Sequence, residues 1–169
     1  MRALLLAPVL LLSTLAVAPA FAQTATPTRA ATQAQAGSAQ PSPAADAAEQ
    51  VVNAFMADLS TGQFDAARQL MAPDAVVMAN GVVLGDRDGY LDGPAKADVA
   101  ALRGTQRELL HRAVHAGSDI GWVVSEKRVR HAGNDQGPRE IVVTETMLLA
   151  KSAGGWKITH IHWSTRAVG

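Results

Sequence analysis

The stretch Arg139–Arg166, REIVVTETMLLAKSAGGWKITHIHWSTR, holds two runs rich in Val, Ile, Thr and Trp joined by Ser152-Ala153-Gly154-Gly155. Branched and aromatic side chains favour the pleated conformation, and the small residues between the runs supply a tight turn, so the stretch reads as a β-hairpin. Working backwards, Gln106–Ala116 and Asp119–Arg130 read as two further strands. Gly117-Ser118 separates them, and the polar Gly133–Pro138 segment precedes the hairpin. Upstream again, Asn80-Gly81 lies between Ala75–Ala79 and Val82–Leu84, the signal of a two-residue hairpin.

The region before these strands is helical. Ala48, Val51, Val52, Phe55, Met56 and Leu59 recur at the 3.6-residue period, with Asp46 placed to cap the start and Gly62 to close the end. Phe64, Ala67, Leu70 and Met71 continue as a shorter helix that Pro73 is expected to stop. Short helices are expected over Arg87–Leu91 and Pro94–Leu102, ended by Gly104. Helices first and an antiparallel meander after them define an α+β class.

The 169 residues divide into three parts. Residues 1–22 carry Arg2, an apolar run from Ala3 to Val17 and an Ala-x-Ala ending at Ala22, which reads as a cleaved secretory signal. The run is short for a membrane span and is broken by Pro8. Residues 23–45, rich in Ala, Gln, Thr, Ser and Pro, lack the large apolar side chains that could offset ordering entropy and read as a disordered tether. Residues 46–169 are the folded domain. The expected location is therefore periplasmic or secreted, with no membrane contact after signal cleavage.

With 15 Lys and Arg against 15 Asp and Glu, the chain lacks the basic surplus that binding a phosphate backbone needs, so no nucleic-acid partner is expected. The absence of cysteine excludes disulfides, thiolate nucleophiles and cysteine-bound zinc or iron–sulfur centres.

The phrase Phe55-Met56-Ala57-Asp58-Leu59-Ser60-Thr61-Gly62-Gln63-Phe64-Asp65, the helices-then-sheet order and the ending Gly155–Ser164 resemble the nuclear-transport-factor-2-like (NTF2-like) superfamily. Within it they are similar to the SnoaL-like and calmodulin-kinase-association-domain-like group. The resemblance covers Asp46–Arg166. It implies a cone, a bent, mostly antiparallel sheet wrapped around the first long helix and enclosing a pocket, commonly paired into a dimer through the sheet. Such folds host enzymes and binding modules alike, so the fold alone names no reaction. Aligned with the ketosteroid-isomerase branch, Phe55 stands where that branch has its oxyanion-stabilising tyrosine and Ala79 where it has its proton-shuttling aspartate. Neither side chain can serve those roles, so that activity is not transferred.

Strand alternation offers candidate site residues. A hairpin over Ala153-Gly154 would pair Leu149 with Ile158, Met147 with His160 and Glu145 with His162. Arg130 opposite Arg139 would set Val124 against Glu145, and His115 opposite Ile120 would set His111 against Val124. One face would then carry His111, Trp122, Glu126, Glu145, His160 and His162. The other would carry Val123, Ser125, Val142, Thr144, Thr146, Leu148, Ile161 and Trp163, too apolar to leave in water, which predicts a homodimer. Alternation does not decide which face lines the pocket, and one β-bulge would exchange the sets.

A carboxylate holding a histidine fixes its tautomer and raises its basicity, so Glu145 and His162 are the catalytic candidates, against a reading as a satisfied structural pair. Tyr90, His111, Trp122, Glu126 and His160 are the ligand-binding candidates. His160-x-His162 could suggest a metal, but pairs of this spacing are ordinary in strands and the resemblance carries none, so neither metal nor cofactor is expected. The expected function is binding of a small, mainly apolar ligand in the cone, with acid–base chemistry as an extension. The alternative is a non-catalytic dimerisation or scaffold domain of the same fold.

Overall fold

The computed structural model describes residues 42–134 and 137–168. The expected signal and all but the last four residues of the expected tether lie outside them. The first helix, α1 (Pro43–Thr61), begins earlier than Asp46 would dictate because Ser42 caps it: its Oγ accepts from the Ala45 amide at 3.1 Å, and Pro43 takes a first-turn position that needs no N–H. Gly62, at φ 75°, closes the other end. Ala48, Val52, Phe55 and Leu59 are buried along the expected stripe, with Val51 and Met56 partly buried beside them.

The second helix, α2 (Phe64–Gln69), stops before Pro73, which instead lies within the first strand, β1 (Met71–Ala79). The proline is tolerated there because the β1 ladder to its neighbour is interrupted between Met71 and Val76, so no paired amide is lost. Asn80 (φ 48°) and Gly81 (φ 81°) then turn the chain into β2 (Val82–Asp86), as the left-handed preference of Asn-Gly predicts. Two short helices, α3 (Arg87–Asp92) and α4 (Pro94–Leu102), lead to the long strands β3 (Gln106–Ala116), β4 (Ile120–Asn134), β5 (Gly137–Ser152) and β6 (Gly155–Ala167).

The six strands form one mixed sheet in the order β2-β1-β6-β5-β4-β3, antiparallel except where β1 runs parallel to β6. Contacts of α1 with β3, β4 and β6, and of α3 with β1 and β2, place the helices against one side. That side holds the core, where Val123, Met147, Ile161 and Val77 form one row across four strands.

Three registers differ from those expected. Leu149 does face Ile158, but Thr159 is an extra residue, so Leu148 faces His160 and Glu145 faces Trp163. Arg130 faces Glu140 rather than Arg139, which puts Glu145 opposite Ser125 rather than Val124. His115 faces Trp122 rather than Ile120, and a second irregularity at Leu110 sets His111 opposite Glu126. Between β4 and β6 the two one-residue displacements cancel. His111, Trp122, Glu126, His160 and His162 therefore stay together, while β5 turns over as a whole: Glu145 moves to the side of Val123, Ser125, Ile161 and Trp163, and Val142, Thr144, Thr146 and Leu148, expected on that side, move to the face of the histidines.

Candidate functional site

The helix-covered side forms a partly open cavity of about 520 Å³. Met56 and Leu59 of α1, Ala101 and Leu102 of α4, and Leu109, Val129, Ile141, Val143 and Trp163 of the sheet supply an apolar wall. A volume in the range of small-molecule sites, apolar walls and a few placed polar groups are the ordinary make-up of a ligand pocket.

The polar centre follows from strand alternation. Arg112, Ser125, Glu145, Trp163 and Ala79 form one cross-strand row on the cavity side, and Leu109, Lys127, Val143 and Thr165 form the next. Glu145 is 1% exposed. One of its carboxylate oxygens, Oε1, accepts from Lys127 Nζ at 2.9 Å, and the other, Oε2, accepts from the Trp163 indole N–H at 2.9 Å. A carboxylate this deep needs such donors, because desolvating it unpaired is costly. Ser125, also fully buried, receives Arg112 Nε at 3.1 Å, while Arg112 Nη1 reaches Glu49 at 2.9 Å and Asn53 at 2.6 Å, tying β3 to α1.

Tyr90 enters from α3. Asp86 caps that helix by accepting from the Gly89 amide at 2.8 Å. Arg68 of α2 pairs with Asp88 and, at 2.6 Å, with Asp92, which pins α3 to α2. Hydrogen bonds from Arg87 first and Arg68 second hold the exposed Asp88 carboxyl down at about 2. The Tyr90 ring is buried 5.7 Å from Trp163, and its hydroxyl donates to Asp98 of α4 at 2.9 Å. Burial first, then the Asp98 charge, push the phenol far above the usual tyrosine range, so it remains a donor throughout the neutral range.

Of the residues expected at a site, the cavity thus brings together Glu145 and Tyr90. The expected Glu145–His162 pairing is not formed: Thr146, not Glu145, stands opposite His162, because the extra residue Thr159 shifts the β5–β6 register by one and sets Glu145 opposite Trp163. His111, Trp122, Glu126, His160 and His162 lie on the opposite face of the sheet. There His115 stacks on Trp122 at 5.7 Å, the His160 and His162 rings lie 6.5 Å apart, and Glu126 accepts from Arg166 at 3.2 Å. Among the described residues no group of three or more His, Cys, Asp or Glu is placed to hold a metal ion, and no helix is long and apolar enough to cross a membrane.

Sequence reasoning missed Lys127, Asp98, Asn53 and Arg112. For Lys127 a signal existed: it interrupts the alternation Val123, Ser125, Val129 on the buried side, where a lysine needs an anion.

A bent sheet on a long helix, with a cavity between them, defines an NTF2-like α+β protein. The sequence pattern of the SnoaL-like domain matches residues 48–168, and the chain belongs to that family. Among solved structures, a protein of Shewanella frigidimarina provisionally named a ketosteroid isomerase is 30% identical, with a TM-score of 0.64 over 70% of this chain and 94% of its own. The calcium/calmodulin-dependent protein kinase II hub of S. rosetta is 22% identical, with a TM-score of 0.59 over 75% of this chain and 100% of its own. An NTF2-like protein of Streptomyces avermitilis provisionally named a dehydratase is 18% identical, with a TM-score of 0.60 over 73% of this chain and 96% of its own. No curated protein sequence matches the chain.

Proposed function

We propose that the protein is exported to the periplasm or beyond and that its cavity binds a small, mainly apolar molecule, with Glu145 as the group available for acid–base chemistry. The observation that carries this reading is the about 520 Å³ apolar cavity with a fixed carboxylate in its wall. A carboxylate held by Lys127 and Trp163 can take a proton from a bound molecule, and the adjacent ammonium can stabilise the negative charge that develops. Phe55 is fully buried in the core and Ala79 lines the cavity, so the ketosteroid-isomerase donor and base remain absent from their expected positions.

Native mass spectrometry of the protein isolated from its exporting cell tests the binding reading. A chain that has lost residues 1–22 and carries a discrete extra mass is expected. Val143→Trp, which narrows the cavity, should weaken retention of that mass. Full retention of the same mass in the narrowed variant would place the ligand elsewhere.

The second reading is assembly of two copies through the uncovered sheet face. It is favoured by apolar side chains in water there, Ile120 at 69% and Leu148 at 39% exposed. The fold shared with a kinase hub supports it. Leu148→Asp should lower the sedimenting mass from two chains to one, and an unchanged mass would dismiss this face as the interface.

A further inference from the structure

We propose that the molecule bound in the cavity is uncharged at its polar end and carries a hydrogen-bond acceptor and donor side by side, as a carboxamide or a lactam does. The proposal rests on the reading of the cavity as a binding site.

Glu145 and Lys127 both line the cavity and lie 2.9 Å apart. The ammonium has three N–H donors, and among the described residues it gives one, to Glu145 Oε1. The carboxylate has about four lone-pair directions. Lys127 and Trp163 take two of them. A donor and an acceptor with spare capacity thus stand next to each other in an apolar wall. A ligand group whose acceptor meets Lys127 while its neighbouring donor meets Glu145 satisfies both at once.

Charged groups fit worse. A carboxylate brought to Lys127 must also approach Glu145, and an ammonium brought to Glu145 must approach Lys127. In this largely apolar cavity neither repulsion is screened as fully as it would be in bulk. An uncharged group leaves the ion pair intact.

The rest of the lining does not tip the balance. Arg112 is engaged by Glu49 and Asn53, and Glu108 by Arg128 and Arg130. The remaining two, Arg107 and Asp98, are of opposite sign. The ligand's polarity is therefore set by the Lys127–Glu145 pair and its body by the surrounding leucine, valine and tryptophan side chains.

Isothermal titration of the full chain with 2-naphthamide, 2-naphthoate and 2-naphthylmethylammonium tests this with one apolar body and three polar ends. The amide should bind about tenfold or more tightly than either ion. Glu145→Gln keeps a carbonyl oxygen for Trp163 but leaves Lys127 without its anion. In this variant naphthoate should overtake naphthamide. Equal or tighter binding of an ion by the unaltered protein overturns the proposal while leaving the cavity a binding site. Binding of none of the three removes the underlying reading as well. Should Glu145→Gln fail to fold, the ranking on the unaltered protein decides.

Discussion

Lys127→Met isolates the energetic role of the cavity's ion pair. The substitution keeps the length of the apolar stem and removes the ammonium, leaving Glu145, whose side chain is 1% exposed, with the Trp163 N–H as its remaining described donor. Breaking a buried pair by removing one partner costs about 3–5 kcal/mol, because the other charge stays desolvated. The Lys127 side chain is 18% exposed and faces the cavity, so water can partly replace it. The lower end, about 3 kcal/mol, is the expected loss, or about 10 °C in Tm for a domain of this size. Adding Glu145→Leu removes the stranded charge. Replacing both members of a buried pair by apolar groups is commonly neutral or better, and the unsatisfied Trp163 N–H returns a cost of about 1 kcal/mol. The double variant should therefore unfold within about 1 kcal/mol of the unaltered protein, above the single variant. Urea titration of the four proteins of the cycle measures this directly. A double variant no more stable than Lys127→Met, or a single loss below about 1 kcal/mol, would falsify the claim that the two groups form one buried unit.

Tyr90 is the sole tyrosine, so tyrosinate absorption reports on it alone. Its raised folded-state pKa means that the stabilisation is complete below about 10 and is lost as pH rises past that unfolded value. Tyrosinate should therefore appear only together with unfolding, and Tyr90→Phe should move the alkaline midpoint upward while costing about 1 kcal/mol at neutral pH through loss of the bond to Asp98. For Asp88 the sign is reversed: its contribution is present above the ordinary carboxylate value near about 4 and disappears as pH falls through about 2. A carboxyl NMR titration should find the Asp88 midpoint at about 2, and Arg87→Gln should raise it. Gly85 has φ 141°, and an added Cβ would lie 3.2 Å from the Tyr90 amide nitrogen and 3.3 Å from the Gly89 carbonyl carbon. Gly85→Ala should thus cost more than Gly62→Ala, where φ is also positive but the space is open, and paired thermal melts should rank them so.

The parts of this molecule that were legible in its sequence are those governed by local chemistry. Asn80-Gly81 states its own turn, the α1 stripe its buried face, and Leu149–Ile158 follows from the turn they flank. The site was less legible because it depends on counting across several strands, and an error of one residue reverses a side chain. Thr159 is an inserted residue whose neighbours give no sign of it, and the β4–β5 turn closes one step away from the symmetrical guess. The β4–β5 displacement turns β5 over relative to β4, and the Thr159 bulge turns β6 back. Together they cancel between β4 and β6, and the set of histidines remains intact on the outer face while Glu145 joins Trp163 and Tyr90 within the cavity. Burial supplies the constraint that pairing arithmetic lacks. On β4 the alternation Val123, Ser125, Lys127, Val129 is buried or nearly so, and a lysine on that side demands an anion within reach. Glu145 meets the demand from β5, the adjacent strand, and the register that brings it there is the one that opposes Glu145 to Ser125. The charge balance of the cavity and the register of the sheet are thus one fact, and the substitution cycle at Lys127 and Glu145 tests both.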